Sequence, residues 1–180
     1  MDARFVEQLH TDAGNLPAGW EMSADELLAA AQALRERGES FDRASLAVGE
    51  PIPISGRLGA VELMLRGMGV ECLLKALWVK QGNVLVDSGQ YVSVRGAGSH
   101  DLPQLASAAE FTLSVHEKDV MRRLSYFIEY GGRYPVPKDA LKLVLTRNPG
   151  GGKGAPTTWS TPSDNELFDT VVLRLRALLA

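Results

Sequence analysis

Apolar residues recur along most of this chain at three- and four-residue steps, the signature of helices with one buried face. After Ser23 the run DELLAAAQALRER places Leu27, Leu28, Ala31 and Leu34 on one side and stops at Gly38, which predicts an amphipathic helix. From about Arg57 to Lys80 the stripe is Leu58, Val61, Leu65, Met68, Cys72, Ala76 and Val79. Its second half, VECLLKALWV, is apolar nearly all round, so this helix is expected at the centre of the molecule. Val120, Leu124, Phe127 and Ile128 mark a third helix over 115–130, closed by Gly131-Gly132. Leu167, Phe168, Val171, Val172, Leu175, Leu178 and Leu179 mark a last one after Ser163.

Four helix starts repeat one local chemistry, a capping residue followed three positions later by Glu or Gln: Ser23 with Glu26, Asp101 with Gln104, Ser114 with Glu117, Ser163 with Glu166. The expected fold is all-α, a helical bundle of four to five main helices in a single domain over 1–180. Two stretches break the pattern. NVLV and YVSV flank the turn-like DSGQ, which predicts a short β-hairpin insertion around residues 83–94. The Gly- and Pro-rich run 148–163 reads as a flexible loop. Before it, DALKLVLTRN fits a short helix or a strand, and the helix is favoured.

Composition narrows the class. The chain has 180 residues, 45% hydrophobic and 23% charged, long enough for a sizeable core without disulfides or metals. Its start lacks the basic and apolar regions of a signal peptide, and no apolar run reaches the ~20 residues that cross a bilayer. A cytoplasmic protein with no membrane association is expected. The lone Cys72 and the scattered His10, His100 and His116 suggest neither a disulfide nor a metal site, and no cofactor is implied. The net charge of −3 conceals an asymmetry: residues 1–50 hold 4 basic and 10 acidic side chains, and residues 118–156 hold 8 basic and 3 acidic. The second segment either gathers a phosphate-attracting surface or is a solvated face balanced by the first.

The candidate chemistry is limited. GGGKG at 150–154 lacks the Ser or Thr and the following helix of a phosphate loop. Cys72 lies in the most apolar run, where a thiolate is disfavoured. Arg95 and His100 remain as a candidate catalytic pair. Metal-free RNA cleavage needs a base for the ribose 2′-hydroxyl and a cation at the charged phosphorus, roles that His and Arg supply. The competing reading makes His100 part of a helix entry capped by Asp101, with Pro103 in the first turn. For nucleotide or RNA binding the candidates are Arg122, Arg123, Arg133, Tyr134 and Lys138, with phosphate contacts from the cations and base stacking from the ring. Their structural alternative has Tyr134 over the core and Arg133 on a carboxylate. Glu71 and Lys75, four residues apart, fit an ion pair that fixes helix register.

Three blocks, GVECLLKALWVKQG at 69–82, SHDLPQL at 99–105 and LSYFIEYGGRYPVP at 124–137, together resemble the HEPN domain family (higher eukaryotes and prokaryotes nucleotide-binding). The shared features are a Glu-x-x-x-Lys-Ala-Leu helix, a His-Asp-Leu helix start and an Arg-Tyr-Pro end. The resemblance implies a four- or five-helix bundle, commonly a homodimer, in bacterial toxin–antitoxin, phage-defence or stress systems. Many members are metal-independent endoribonucleases with an Arg-x4-6-His motif, whose spacing Arg95 and His100 match, although Gly96 stands where a polar residue is usual. His100-Asp101-Leu102 matches the helix entry of branches that bind nucleotides or pair with nucleotidyltransferases. The expected function is therefore a nucleotide- or RNA-associated module without robust catalysis, partnered by a second copy, RNA or nucleotide, or a cognate antitoxin or nucleotidyltransferase. The alternatives are a metal-independent endoribonuclease using Arg95 and His100, and a non-catalytic protein-interaction module.

Overall fold

A computed structural model describes residues 2–49, 58–98, 100–134, 146–147, 153–154 and 160–180. Among the described residues six helices carry the fold: α1 (Ala3–Gly14), α2 (Pro17–Val48), α3 (Gly59–Lys80), α4 (Leu102–Ala108), α5 (Val115–Tyr126) and α6 (Pro162–Leu179). A π-helical turn, Phe127–Gly131, extends α5. The all-α reading therefore holds, and α3 is the central helix: it packs against α2, α4, α5, the π-helical turn and α6. Leu63, Val70, Leu73, Leu74 and Ala76 of α3 are each at most 2% exposed.

The first half of α3 turns a different face inward from the one its apolar stripe suggests. Val61 is exposed and Leu65, Met68 and Cys72 are half-buried, whereas Glu62 and Arg66 are buried. The two charges tolerate this because they pair, Arg66 Nη1 lying 3.3 Å from Glu62 Oε1. Glycines let neighbours come close. A Cβ on Gly67 would stand 2.7 Å from the Ile128 side chain, and one on Gly69 would stand 2.7 Å from Leu28 of α2.

Helix starts follow the capping chemistry in part. Ser114 and Glu117 form both halves of a capping box at α5. Asp101 caps α4 by accepting from the Gln104 N–H, but the Gln104 carboxamide oxygen accepts from Gly98 instead of closing the box. The expected caps at Ser23 and Ser163 are corrected. Helix α2 begins at Pro17, so Ser23 lies inside it and its hydroxyl donates to the Gly19 carbonyl. At α6 the cap is Thr161, paired with Asp164, and Pro162 occupies the first turn. Gly38 does not end α2, which runs on to Val48.

The hairpin forms as read: β1 (Val86–Asp87) pairs antiparallel with β2 (Gln90–Tyr91). Ser88 and Gly89, both with positive φ (48° and 70°), make the two-residue turn. Asn15, just after α1, holds the hairpin by accepting from the Leu85 and Val86 N–H groups and donating to the Val86 carbonyl. Residues 139–145 of the expected short helix and most of the expected loop lie outside the described residues. Thr146–Arg147 (β3) and Lys153–Gly154 (β4) pair as antiparallel strands, so the favoured helix does not extend over residues 146–147. Among the described residues no helix is long and apolar enough to cross a membrane.

Candidate functional site

The site grows from one buried carboxylate. Glu71, 6% exposed on α3, has one oxygen 2.6 Å from Lys75 Nζ and the other 2.9 Å from His100 Nδ1. The expected Glu71–Lys75 pair is present, and the same carboxylate also ties α3 to the entry of α4. Lys75 lies 5.0 Å from the Trp20 ring centre and 5.4 Å from that of Tyr91, so the cluster joins α2, α3, the hairpin and the α4 entry. Burial alone would lower the Lys75 pKa, but Glu71, with Tyr91 assisting, raises it overall. The ammonium is therefore charged at neutral pH.

A carboxylate on Nδ1 selects the tautomer that carries hydrogen there, which leaves Nε2 as the acceptor and base. The backbone holds this residue in place: Asp101 caps α4, and the Leu102 N–H donates to the Ser125 hydroxyl, which donates to the Met121 carbonyl. His100 thus sits at α5, beside a cleft of about 230 Å³. Arg122, Ser125 and Tyr126 of α5 line it, with Glu129 and Tyr130 of the π-helical turn and Asp101 at its edge. The turn is where the α5 ladder widens, and the Tyr126 and Tyr130 ring centres lie 6.2 Å apart. Arg122 reaches the cleft from an exposed position and pairs with Asp119 at 3.1 Å.

The other sequence candidates divide. Arg95 is exposed after the buried Val94 and is not among the residues lining the cleft with His100. Arg123 is corrected as a surface contact: it is 2% exposed and faces α6, with Nη2 3.3 Å from Asp164. Arg133 donates to the Ile128 and Glu129 carbonyls and so caps the π-helical turn, with no carboxylate partner among the described residues. Tyr134 is 46% exposed, so its ring does not cover the core, and it lies 5.8 Å from the Arg133 guanidinium. Lys138 lies outside the described residues. Cys72 has its thiol pushed up to about 11 by burial, in keeping with a packing role.

Sequence reading passed over Ser125, Tyr126, Glu129 and Tyr130, and it gave Glu71 no link to His100. The first four recur at helical spacing, which was a visible signal of a shared face. The Glu71–His100 contact spans 29 positions and left no local pattern. Comparison with protein-family models, curated proteins and solved structures returns no match.

Proposed function

We propose that this cleft binds a nucleotide or a single-stranded RNA segment, and that the protein is a cytoplasmic HEPN-like module of a bacterial defence, toxin–antitoxin or stress system. The observation that carries this reading is the shared cleft of His100, Arg122, Tyr126 and Tyr130. Its cation and imidazole suit a phosphate, and its rings suit a base. Asp101 and Glu129 in the same cleft suit donors on base edges or ribose and limit how many phosphates are accommodated. The resemblance of the three sequence blocks supports the assignment and adds the expectation of a homodimer. Fluorescence anisotropy with a labelled mixed-sequence 12-nucleotide RNA tests it. Arg122→Ala should weaken binding about tenfold, the scale of one charge-assisted phosphate contact, and lower the salt dependence. Binding unchanged in Arg122→Ala and Tyr126→Ala removes the reading.

A second reading, metal-independent RNA cleavage, is favoured by the Glu71–His100 contact. With hydrogen on Nδ1, His100 Nε2 takes the 2′-hydroxyl proton, the 2′-oxygen attacks phosphorus, and the bond to the 5′-oxygen breaks. The products are a 2′,3′-cyclic phosphate and a 5′-hydroxyl, whose oxygen takes up the proton that His100 Nε2 removed, returned by the imidazolium through water. Arg122, in place of Arg95, is the cation in the cleft. Cleavage in EDTA that persists in His100→Ala excludes this chemistry.

A further inference from the structure

The two carboxylates of the His100 cleft differ in standing. Asp101 is engaged at the start of α4, where its Oδ1 accepts from the Gln104 N–H at 2.9 Å. Glu129 is exposed on the π-helical turn, and its Oε1 accepts from the Tyr130 hydroxyl. A carboxylate offers about four acceptor sites, so one such bond orients the group without exhausting it. The turn beneath it is also fixed. Arg133 donates to the Ile128 and Glu129 carbonyls, and the Tyr130 side chain is buried. The cleft therefore carries an oriented acid on a firm edge.

The cation of the cleft stands apart from that acid. Arg122 and Glu129 are seven residues apart and line the same cleft, so they are separated by roughly 10 Å along the helix axis. That is about the span of a nucleotide from its phosphate to the far edge of its base. With Arg122 at the phosphate, Glu129 falls at the base edge, where a negative group is favourable only opposite hydrogen-bond donors.

The bases differ in what they offer a carboxylate. Guanine presents two adjacent donors on its Watson–Crick edge, N1–H and the N2 amino group, which match two carboxylate oxygens as a parallel pair. On adenine and cytosine the amino donor stands beside a ring acceptor, and the uracil N3–H lies between two carbonyls. A carboxylate at those edges meets repulsion together with its hydrogen bond. Stacking on Tyr126, half-buried in the same cleft, is tolerant of the base. Discrimination therefore falls to Glu129.

We propose that the His100 cleft selects guanine, with the Glu129 carboxylate accepting from N1–H and the N2 amino group while Arg122 meets a single phosphate. The choice of base rests on the nucleotide or RNA reading above and narrows it. Tyr130 and Arg133 are positioning residues for the carboxylate.

The test measures binding by fluorescence anisotropy to labelled oligouridine dodecamers that carry one central guanosine, inosine or adenosine, with free GMP and AMP titrated in parallel by backbone amide NMR. Inosine keeps N1–H and lacks the amino group. Guanosine RNA should bind at least tenfold more tightly than adenosine RNA, the scale of one bidentate contact to a base, with inosine RNA between them. Glu129→Gln exchanges an acceptor for a donor and should bring guanosine and adenosine within about twofold of each other. A guanine preference seen in RNA alone supports a guanosine within a strand as the ligand, and one seen with GMP alone supports a free nucleotide. Equal binding of guanine and adenine in both formats, or a guanine preference that survives in Glu129→Gln, overturns the choice of base and leaves nucleotide binding standing. No saturable binding of any RNA or nucleotide removes both.

Discussion

Glu71 joins two distant parts of the fold, because one buried carboxylate satisfies an ammonium in its own helix and an imidazole from a distant loop. Replacing it by Ala strands Lys75, whose side chain is 13% exposed, and a partly buried charge without its partner costs about 3–5 kcal/mol. Urea denaturation should show a loss of that size for Glu71→Ala and a much smaller one for His100→Ala, whose imidazole is more exposed. Equal losses would mean that the carboxylate serves the loop and not the lysine. At this scale the sequence was half legible. Spacing of four along a helix revealed the Glu71–Lys75 pair, while the contact to His100 depends on tertiary packing that brings α3 and the α4 entry together. Arg123 shows the same limit in reverse, since its place in a basic segment suggested solvent and its partner Asp164 comes from a helix 41 positions away.

Elements were read best where local chemistry decides them. The span of α3, the Ser114 box and the Ser88-Gly89 turn are fixed within a few residues, and they formed as expected. Helix α1 escaped notice because it buries none of its residues. The start of α2 was misplaced because Ser23 and Glu26 imitate a box in the interior of a longer helix. Two glycines test how packing overrides propensity. A Cβ on Gly38 meets nothing within 4 Å, so Gly38→Ala should stabilise by up to about 1 kcal/mol. Gly67→Ala forces a Cβ within 3.2 Å of the Leu124 carbonyl and should destabilise by about 1–3 kcal/mol despite the same propensity gain. Thermal unfolding of the two variants checks the opposite signs.

Two capping-box carboxylates are expected to make the fold sensitive to acid. Burial alone would raise Glu117, but Ser114 and Arg174 hold it below its ordinary 4.5. Likewise Thr161 and Arg123 outweigh burial and hold Asp164 below 3.8. A lowered folded-state value means that the unfolded chain takes up protons first. The stability from these groups is complete above the ordinary values and is lost as pH falls through the lowered ones. Glu62, raised mainly by burial, works in the opposite sense, its contribution fading as pH rises. Urea midpoints should therefore drop between pH 5 and pH 3, and the drop should be smaller in Arg174→Ala, where Glu117 loses a partner. An unchanged drop would place the acid sensitivity elsewhere.

At the scale of the whole molecule, the helical bundle around α3 was legible because an all-round apolar helix has only one place to go. The function was less so. The described arginines at 122–133 part ways: Arg123 is buried, Arg133 is spent on backbone carbonyls, and Arg122 reaches the His100 cleft. Recognition is accordingly expected to depend on a few placed groups and not on a broad positive field. The most direct measurement is a backbone amide NMR map of the protein titrated with a mixed 12-nucleotide RNA. The account predicts saturable shifts concentrated at His100, Arg122, Ser125, Tyr126, Glu129 and Tyr130. Shifts confined to the exposed face of α1, or no saturable shift, would contradict it.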